Sequence, residues 1–459
     1  MRSNSIMYLT GILADHICSV PQAARPAFID EMALRCILDL LGAAIAGAGA
    51  KGPAAARQSA AVIFGEGIAP VWMSAKTAAP VAALLCNAAA ACALDLDDGH
   101  RAARGHPGAC VIPTVLTLAT QTRVTGRALV SAIIAGYDIG VRIAAAQNPQ
   151  GIPTRQSGRW AAFAAVAAAG SLFGARPDHV AQGLAIAGVL APNQQANGSS
   201  GYSRLTGNDV KEGIAWSAAT GLTALHLAMN GHTGPTDLLD HPGFYDRERI
   251  LDQLGDRWEI SGTYFKLYAC CRYIHAPLDA LLAIMTEHAL LAEEVIGITV
   301  DTFGWALRLG NKTNPENPVD IQYSLPYCLA VAAIDGAAAL APVDVSLLGR
   351  ADLSRFAQRV RMTTDSEIDQ QFPDQTLARV TVDTPRGRFQ SPLTGPVGDP
   401  ARPLTFGALE QKFLSVTRGI ISPAQQGMLI GAVQGLLSDD GARLLHALGS
   451  AQTSPRRNS

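Results

Sequence analysis

Two stretches of this chain, residues 80–94 and 160–174, carry almost no charge. Both are rich in alanine and poor in large side chains. A helix that is apolar all round offers no face to water and has to be buried. Each stretch is shorter than the roughly 18 apolar residues of a membrane-spanning helix. The two therefore read as buried helices packed closely against others, and they demand a large helical core. The chain can supply one, because 48% of its 459 residues are hydrophobic and only 16% are charged. Length alone suggests two or three domains.

The formal net charge of -2 gives no global reason to expect nucleic acid as a partner. The short basic tail 455–459 reads as a solvated terminus. Eight cysteines are scattered without CxxC spacing. The apolar run at residues 7–14 is cut off by Asp15 and His16, so it does not read as a secretory signal. Reduced thiols in the cytoplasm, with no membrane segment, are the expectation.

Apolar residues three and four apart predict helices over 32–46, 80–94, 113–120, 126–145, 177–190 and 211–229. The character changes after about residue 290. Residues 295–303 alternate apolar and polar and are β-branched, so they predict a strand, as do 359–364 and 378–384. Pro385-Arg386-Gly387-Arg388 predicts a hairpin turn before Phe389. Helices are expected at 327–339 and 348–356, and helix resumes from Leu409. The fold class is therefore mainly α. One large all-helical domain is formed by both chain ends, residues 1–265 and 399–459, with a smaller α+β domain at 266–398 inserted.

The segment richest in chemistry follows the first neutral stretch. Asp95, Asp97, Asp98, His100 and His106 fall within twelve residues. Carboxylates near a helix C-terminus meet an unfavourable dipole, so helical stability does not place them there. Three readings compete: a solvated loop with Asp caps, a metal site of oxygen and nitrogen ligands, and acid/base catalysis by a histidine that a carboxylate makes more basic. Magnesium-dependent prenyl transfer would need a second acidic motif, and none is convincing.

The run Ala93-Leu94-Asp95-Leu96-Asp97-Asp98, followed by His106-Pro107, resembles the signature of the MmgE/PrpD family. That family includes 2-methylcitrate dehydratase, cis-aconitate decarboxylase and iminodisuccinate epimerase. Gly136-Tyr137-Asp138, Asp209-Val210-Lys211-Glu212-Gly213, Gly231-His232-Thr233-Gly234-Pro235, Lys266 to His275, Tyr323-Ser324-Leu325-Pro326-Tyr327, Pro403-Leu404-Thr405 and Lys412-Phe413 resemble its later landmarks, in order. The resemblance implies a helical domain with an α+β lid, a homodimer, and cofactor-free, metal-independent chemistry on a small carboxylic acid. Dehydration is the leading reaction. Epimerisation or decarboxylation of a related acid is the alternative, and a binding protein that has lost the chemistry is a second.

Such reactions build charge beside a carboxylate, so the site needs cations and a positioned acid or base. The resemblance implies Lys211 and Lys266 as the cations, His106 as the proton carrier and Asp95 as the group that orients it or stabilises its protonated form. Tyr327 is a candidate donor. Arg272, Cys271, His275 and Arg159 are candidates for substrate binding, with Asp97, Asp98 and His100 placed behind the reacting groups. His275 also reads as a core histidine bonded to Asp279. Three departures stand out. Position 99 is Gly where the family has Thr, so a hydroxyl is lost. No histidine occurs in 154–160, where Arg155 and Arg159 stand instead. Cys271 occupies the place of a histidine found in cis-aconitate decarboxylases. The two missing histidines argue against cis-aconitate decarboxylation, though not against decarboxylation of another acid.

Overall fold

The computed structural model describes residues 7–121, 124–154, 156–193, 207–438 and 441–451. Nine helices build most of the first half: α1 (Leu9–Ser19), α2 (Ala27–Gly47), α3 (Lys51–Phe64), α4 (Pro80–Cys92), α5 (Gly108–Leu118), α6 (Gly126–Ala145), α7 (Gly158–Phe173), α8 (Pro177–Leu190) and α9 (Ile214–Met229). Residues 161–169 of α7 are wholly buried. The helix packs against α5, α6, α8 and α9 at once. Small side chains make this possible. A Cβ at Gly221 of α9 would lie 2.3 Å from the Ala162 carbonyl oxygen, and one at Gly140 of α6 would lie 2.7 Å from Ala164 Cβ. The neutral stretches are thus core helices whose backbones approach closely. Helix α6 is long and apolar enough to cross a membrane, yet 89% of its most apolar window is buried by its neighbours.

After the short α10 (Arg247–Leu251), the middle of the chain contains α11 (His275–Glu287), α12 (Pro318–Gln322), α13 (Leu325–Ile334), α14 (Ala351–Ala357) and α15 (Ser366–Asp369). Two-stranded pairs β1 (Ala69–Pro70) with β2 (Thr77–Ala78), and β3 (Gly99–His100) with β4 (Thr263–Tyr264), sit among the helices. The larger sheet has the order β6-β5-β7-β8, with β5 (Gly297–Thr302), β6 (Val360–Thr364), β7 (Arg379–Thr384) and β8 (Gly387–Gln390). Strand β5 runs parallel to β6 and antiparallel to β7. Ile298, Val300 and Thr302 are its buried residues, as alternation requires, and α11 packs on β7. Thr384 pairs with Gly387, so the hairpin turn is only Pro385-Arg386.

The last helices, α16 (Phe406–Val416), α17 (Pro423–Gln434) and α18 (Ala442–Ser450), return to the first core. Leu409, Phe413, Leu429 and Leu444 belong to the same apolar cluster as α1 to α9. A second cluster gathers α11, α13, α14, β5 and β7.

Several expected helix starts differ: the helix predicted from residue 32 begins at Ala27 and that from residue 348 at Ala351, and two further cases have a clear physical reason. The helix predicted from Pro113 begins at Gly108, with Pro113 inside it and fully buried. The proline ring removes one ladder hydrogen bond, which packing on all sides outweighs. The helix predicted from Lys211 begins at Ile214. Lys211, Glu212 and Gly213 have φ of 42°, 58° and 71°. Two non-glycine residues in succession in the left-handed region are costly, by about 1–2 kcal/mol each, and no periodicity reveals them.

Candidate active site

The acidic segment begins where α4 stops. Asp95 turns the chain with φ of 54° and is 1% exposed. Its carboxylate is gripped from two sides. Lys211 Nζ lies 2.6 Å from Oδ1, and Lys266 Nζ lies 3.0 Å from Oδ2 and 3.1 Å from the Asp95 carbonyl oxygen. Burial pushes the Asp95 carboxyl up, but the two ammonium groups and His106 outweigh it and hold the group well below the usual carboxylate range. Burial disfavours the Lys211 ammonium too, and Asp95 overrides it, so Lys211 titrates well above the usual lysine value. Two ammonium groups stand where a bound cation would need to be. Among the described residues, no group of three His, Cys, Asp or Glu side chains could hold a metal ion.

His106 is 7% exposed and lies just before α5. Its Nδ1 is 2.9 Å from the Asp98 carbonyl oxygen. That oxygen can only accept, so Nδ1 carries a proton and Nε2 is the free ring nitrogen of the neutral imidazole. Nε2 lies 3.6 Å from Asp95 Oδ1, too far for a hydrogen bond. The backbone of Asp98, not Asp95, therefore orients the ring, and the Asp95 charge instead favours its protonated form. Asp97 Oδ2 is 3.3 Å from Nδ1, and both Asp97 oxygens are buried without a hydrogen bond. Burial lowers the pKa of His106, and the Asp97 charge reverses this, leaving it above 6.5.

Asp98 and His100 sit behind this pair. Asp98 accepts hydrogen bonds from Tyr137 Oη at 2.5 Å and from the Gly108 N–H at 3.0 Å. Burial pushes its carboxyl up to about 7. His100 Nε2 is bonded to the Glu259 carbonyl oxygen at 3.0 Å, and burial lowers its pKa to about 4, so it stays neutral.

These groups open onto a cavity of about 540 Å³ between the helical core and the α+β layer. Asp95, His106, Lys266, Cys271 and Arg272 all line it. Lys211 lines an adjoining recess of about 360 Å³, with Glu212 and Tyr323 common to both. Asp95, Arg104, Lys211 and Glu212 are four of the eight described non-glycine residues with positive φ. All four line one of these two spaces, and backbone strain of this kind collects at functional sites. Arg272 pairs with Asp399, stacks 4.5 Å over the Tyr264 ring, and leaves its Nε buried without a partner. Burial raises the Cys271 thiol to about 12, which keeps it neutral and unreactive.

Three expected site residues lie elsewhere. Tyr327 is fully buried and donates to the Leu347 carbonyl oxygen at 2.5 Å; it packs α13. The tyrosine of this motif that lines the cavity is Tyr323, whose hydroxyl is 3.3 Å from Lys211 Nζ. Arg159 donates to the Ala191 carbonyl oxygen at 2.8 Å and to Tyr245 Oη at 3.2 Å, bracing the end of α8. His275 is a buried histidine between Arg272 at 3.3 Å and the Cys270 carbonyl oxygen at 3.2 Å. Burial and the Arg272 charge hold it well below 6.5. Asp279 bonds Tyr268 and the Val397 N–H rather than His275. Arg155 and the tail 455–459 lie outside the described residues.

Other participants carried little sequence signal. Glu212 accepts from Ser157 Oγ at 2.7 Å, and Ser157 Oγ accepts from the His106 N–H at 3.1 Å, joining the lysine turn to the histidine. Lys412 of α16 donates to Asp39 at 2.6 Å and to the Leu96 carbonyl oxygen at 2.8 Å, so the C-terminal helices brace the acidic segment. The resemblance of Lys412-Phe413 to a family landmark marked the position without assigning it this role.

Comparison with known proteins gives the family of the chain. The model of the MmgE/PrpD N-terminal domain matches residues 11–248, and that of the MmgE/PrpD C-terminal domain matches residues 268–436. The chain belongs to the MmgE/PrpD family. A cis-aconitate decarboxylase of Aspergillus terreus (strain NIH 2624 / FGSC A1156) is 27% identical over 397 residues, covering 78% of this chain and 79% of the relative. The cis-aconitate decarboxylase-like protein oryM of Aspergillus oryzae (strain ATCC 42149 / RIB 40) is 24% identical over 298 residues, covering 60% and 61%.

In this MmgE/PrpD protein, Gly99 has a structural counterpart. Gly99 pairs with Tyr264 across β3 and β4, and a Cβ at Gly99 would lie 2.3 Å from Tyr264 Oη. The tyrosine fills the space that a side chain at position 99 would take. Its hydroxyl makes no hydrogen bond to any described residue, and it lines the cavity.

Proposed function

We propose that this protein is a cofactor-free lyase that dehydrates a small hydroxy-polycarboxylic acid by removing a proton next to a carboxylate. The supporting observation is His106, with Nδ1 held by the Asp98 carbonyl and Nε2 directed away from it beside the Asp95–lysine group at the cavity. Lys266 and Arg272 bind the reacting carboxylate. His106 Nε2 takes the proton from the adjacent carbon. The charge that spreads onto the carboxylate oxygens is stabilised by Lys266 and Lys211.

The C–H electron pair becomes the new C=C bond as the neighbouring C–O bond breaks. The departing hydroxyl takes the Tyr264 proton and leaves as water. Burial holds the Tyr264 phenol above its usual pKa despite the nearby arginines, so it is protonated at the start of each turn. Exchange with solvent then resets His106 and Tyr264. The α+β layer acts as a lid over the cavity. A homodimer is supported by apolar residues left on the surface of α8 and α9, among them Leu190 and Trp216.

Decarboxylation of a related acid is the second reading, favoured by the names of the relatives. There a C–C bond breaks, CO₂ leaves, and the carbanion takes the proton. Epimerisation would use the same abstraction without a leaving group.

The test is proton exchange in D₂O. Purified protein is incubated with citrate-like, aconitate-like, methylcitrate-like and aminodicarboxylic acids, and NMR follows deuterium entry and product. Deuterium beside a carboxylate with loss of water is expected. Loss of CO₂ selects decarboxylation and inversion selects epimerisation. No exchange with any acid, in a protein that binds them, would overturn carbon-acid chemistry.

A further inference from the structure

The α+β wall of the cavity has features that proton transfer beside Asp95 does not use. Tyr273, Trp305 and Phe372 line it. Their rings form one cluster on buried Phe303. Phe303 stacks on Phe372 with centroids 4.6 Å apart, Tyr273 meets Phe303 edge-on at 5.0 Å and Phe372 at 5.6 Å, and Trp305 lies 6.4 Å from Phe372. Trp305 remains 45% exposed. A small polycarboxylate needs no such platform and fills only part of a cavity of about 540 Å³.

The arginines divide in the same way. Arg101 and Arg272 are both engaged by Asp399. Arg308 and Arg104 also line the cavity, and neither makes an ion pair among the described residues. Arg308 lies over the Trp305 ring at 4.5 Å. Stacking occupies the flat face of a guanidinium and leaves its N–H edge free for a carboxylate. An aromatic platform with a guanidinium resting on it suits a flat apolar group that ends in an anion.

We propose that the natural substrate is an arylalkyl polycarboxylic acid. Its flat arm lies on Tyr273, Trp305 and Phe372, and a distal carboxylate meets Arg308. This rests on the reading that the cavity is the active site.

The experiment measures binding of succinate, benzylsuccinate and (4-carboxybenzyl)succinate to the full chain by calorimetry. Each buried methylene-sized group is worth roughly fourfold in affinity, so benzylsuccinate is expected to bind at least about tenfold tighter than succinate. Trp305→Ala should remove most of that gain. Arg308→Ala should remove the further gain of the carboxybenzyl compound and leave benzylsuccinate nearly unaffected. Trp305 is partly exposed, so its replacement does not empty the core. Equal binding of succinate and benzylsuccinate, or a gain that survives Trp305→Ala, overturns the arm subsite. Wild-type deuterium exchange into short acids is read separately. Its failure would strike the proposed chemistry and leave a measured arm preference standing.

Discussion

His106 directs Nδ1 at the Asp98 backbone carbonyl, 2.9 Å away, and so keeps Nε2 as the basic nitrogen. A main-chain acceptor cannot be lost by mutation of the Asp98 side chain, so the tautomer is set by the loop itself. His106→Gln should lower turnover by about 10²–10⁴-fold, the usual worth of a positioned base, with little change in substrate affinity. Steady-state kinetics beside binding measurements decide it. Turnover within threefold of wild type would place the base elsewhere.

The pH profile follows from Asp97. Its buried charge raises the pKa of His106 above 6.5, and the base works in the neutral form. The acid limb of kcat/KM should therefore have an apparent pKa above 6.5. Removing the charge with Asp97→Asn lowers that pKa, so the limb should move to lower pH. A limb that stays in place would show that another group titrates there.

Asp95 and Lys266 are a buried pair, each 1% exposed. Lys266→Met takes one of the two ammonium groups from the buried Asp95 charge and should destabilise the fold by about 3–5 kcal/mol. Adding Asp95→Asn should recover part of that loss, because the stranded charge goes with it. Urea unfolding of both variants measures the difference. Additive losses would mean that the two residues do not act as a pair.

Tyr264→Phe removes a hydroxyl that bonds no described residue, so the melting temperature should hardly change. Dehydration should slow by at least about tenfold if that hydroxyl serves the leaving group. Gly99→Ala should slow it too, because the new methyl would collide with the Tyr264 ring, whose Cζ lies 2.4 Å from the Cβ position. Unchanged rates in both variants would leave Tyr264 as packing only.

Asp98 links stability to pH. Its folded pKa of about 7 lies above the ordinary 3.8, so the folded state holds a proton that the unfolded state releases. This contribution is complete below about pH 4 and is lost as pH rises towards 7, at up to about 1.4 kcal/mol per unit. Asp98→Asn should flatten the slope. A wild-type stability that rises steadily across this window from all groups together, with no change in slope on mutation, would count against the assignment.

The helices at 126–145 and 177–190 were legible to the residue, because periodicity and a proline at the helix start are local signals. The three strands of alternating β-branched residues were legible to within about two residues, and the Asp95–His106 segment could be singled out for its density of charged and titratable groups. Tyr327 and Tyr323 show where that legibility stops. They flank one motif, four residues apart, yet one hydroxyl meets the Leu347 carbonyl and the other meets Lys211. Which of two neighbouring tyrosines faces a cavity depends on what packs against each, and no spacing encodes it.

The same holds for the cations. By its own periodicity and composition the chain dictates a large helical core with an α+β segment, and its motifs place it in its family. Charge alone made Lys211, Lys266 and Arg272 equal candidates for the cations, and left Arg159 as a candidate for shaping the pocket. Tertiary structure brought Lys211 and Lys266 onto Asp95 across 116 and 171 residues and turned Arg159 to brace a helix end. Local patterns follow from backbone geometry and apolar spacing, which neighbours in the chain can satisfy. The partner of a buried charge is whatever the fold carries to within about 3 Å, and that is settled only when distant segments close around it.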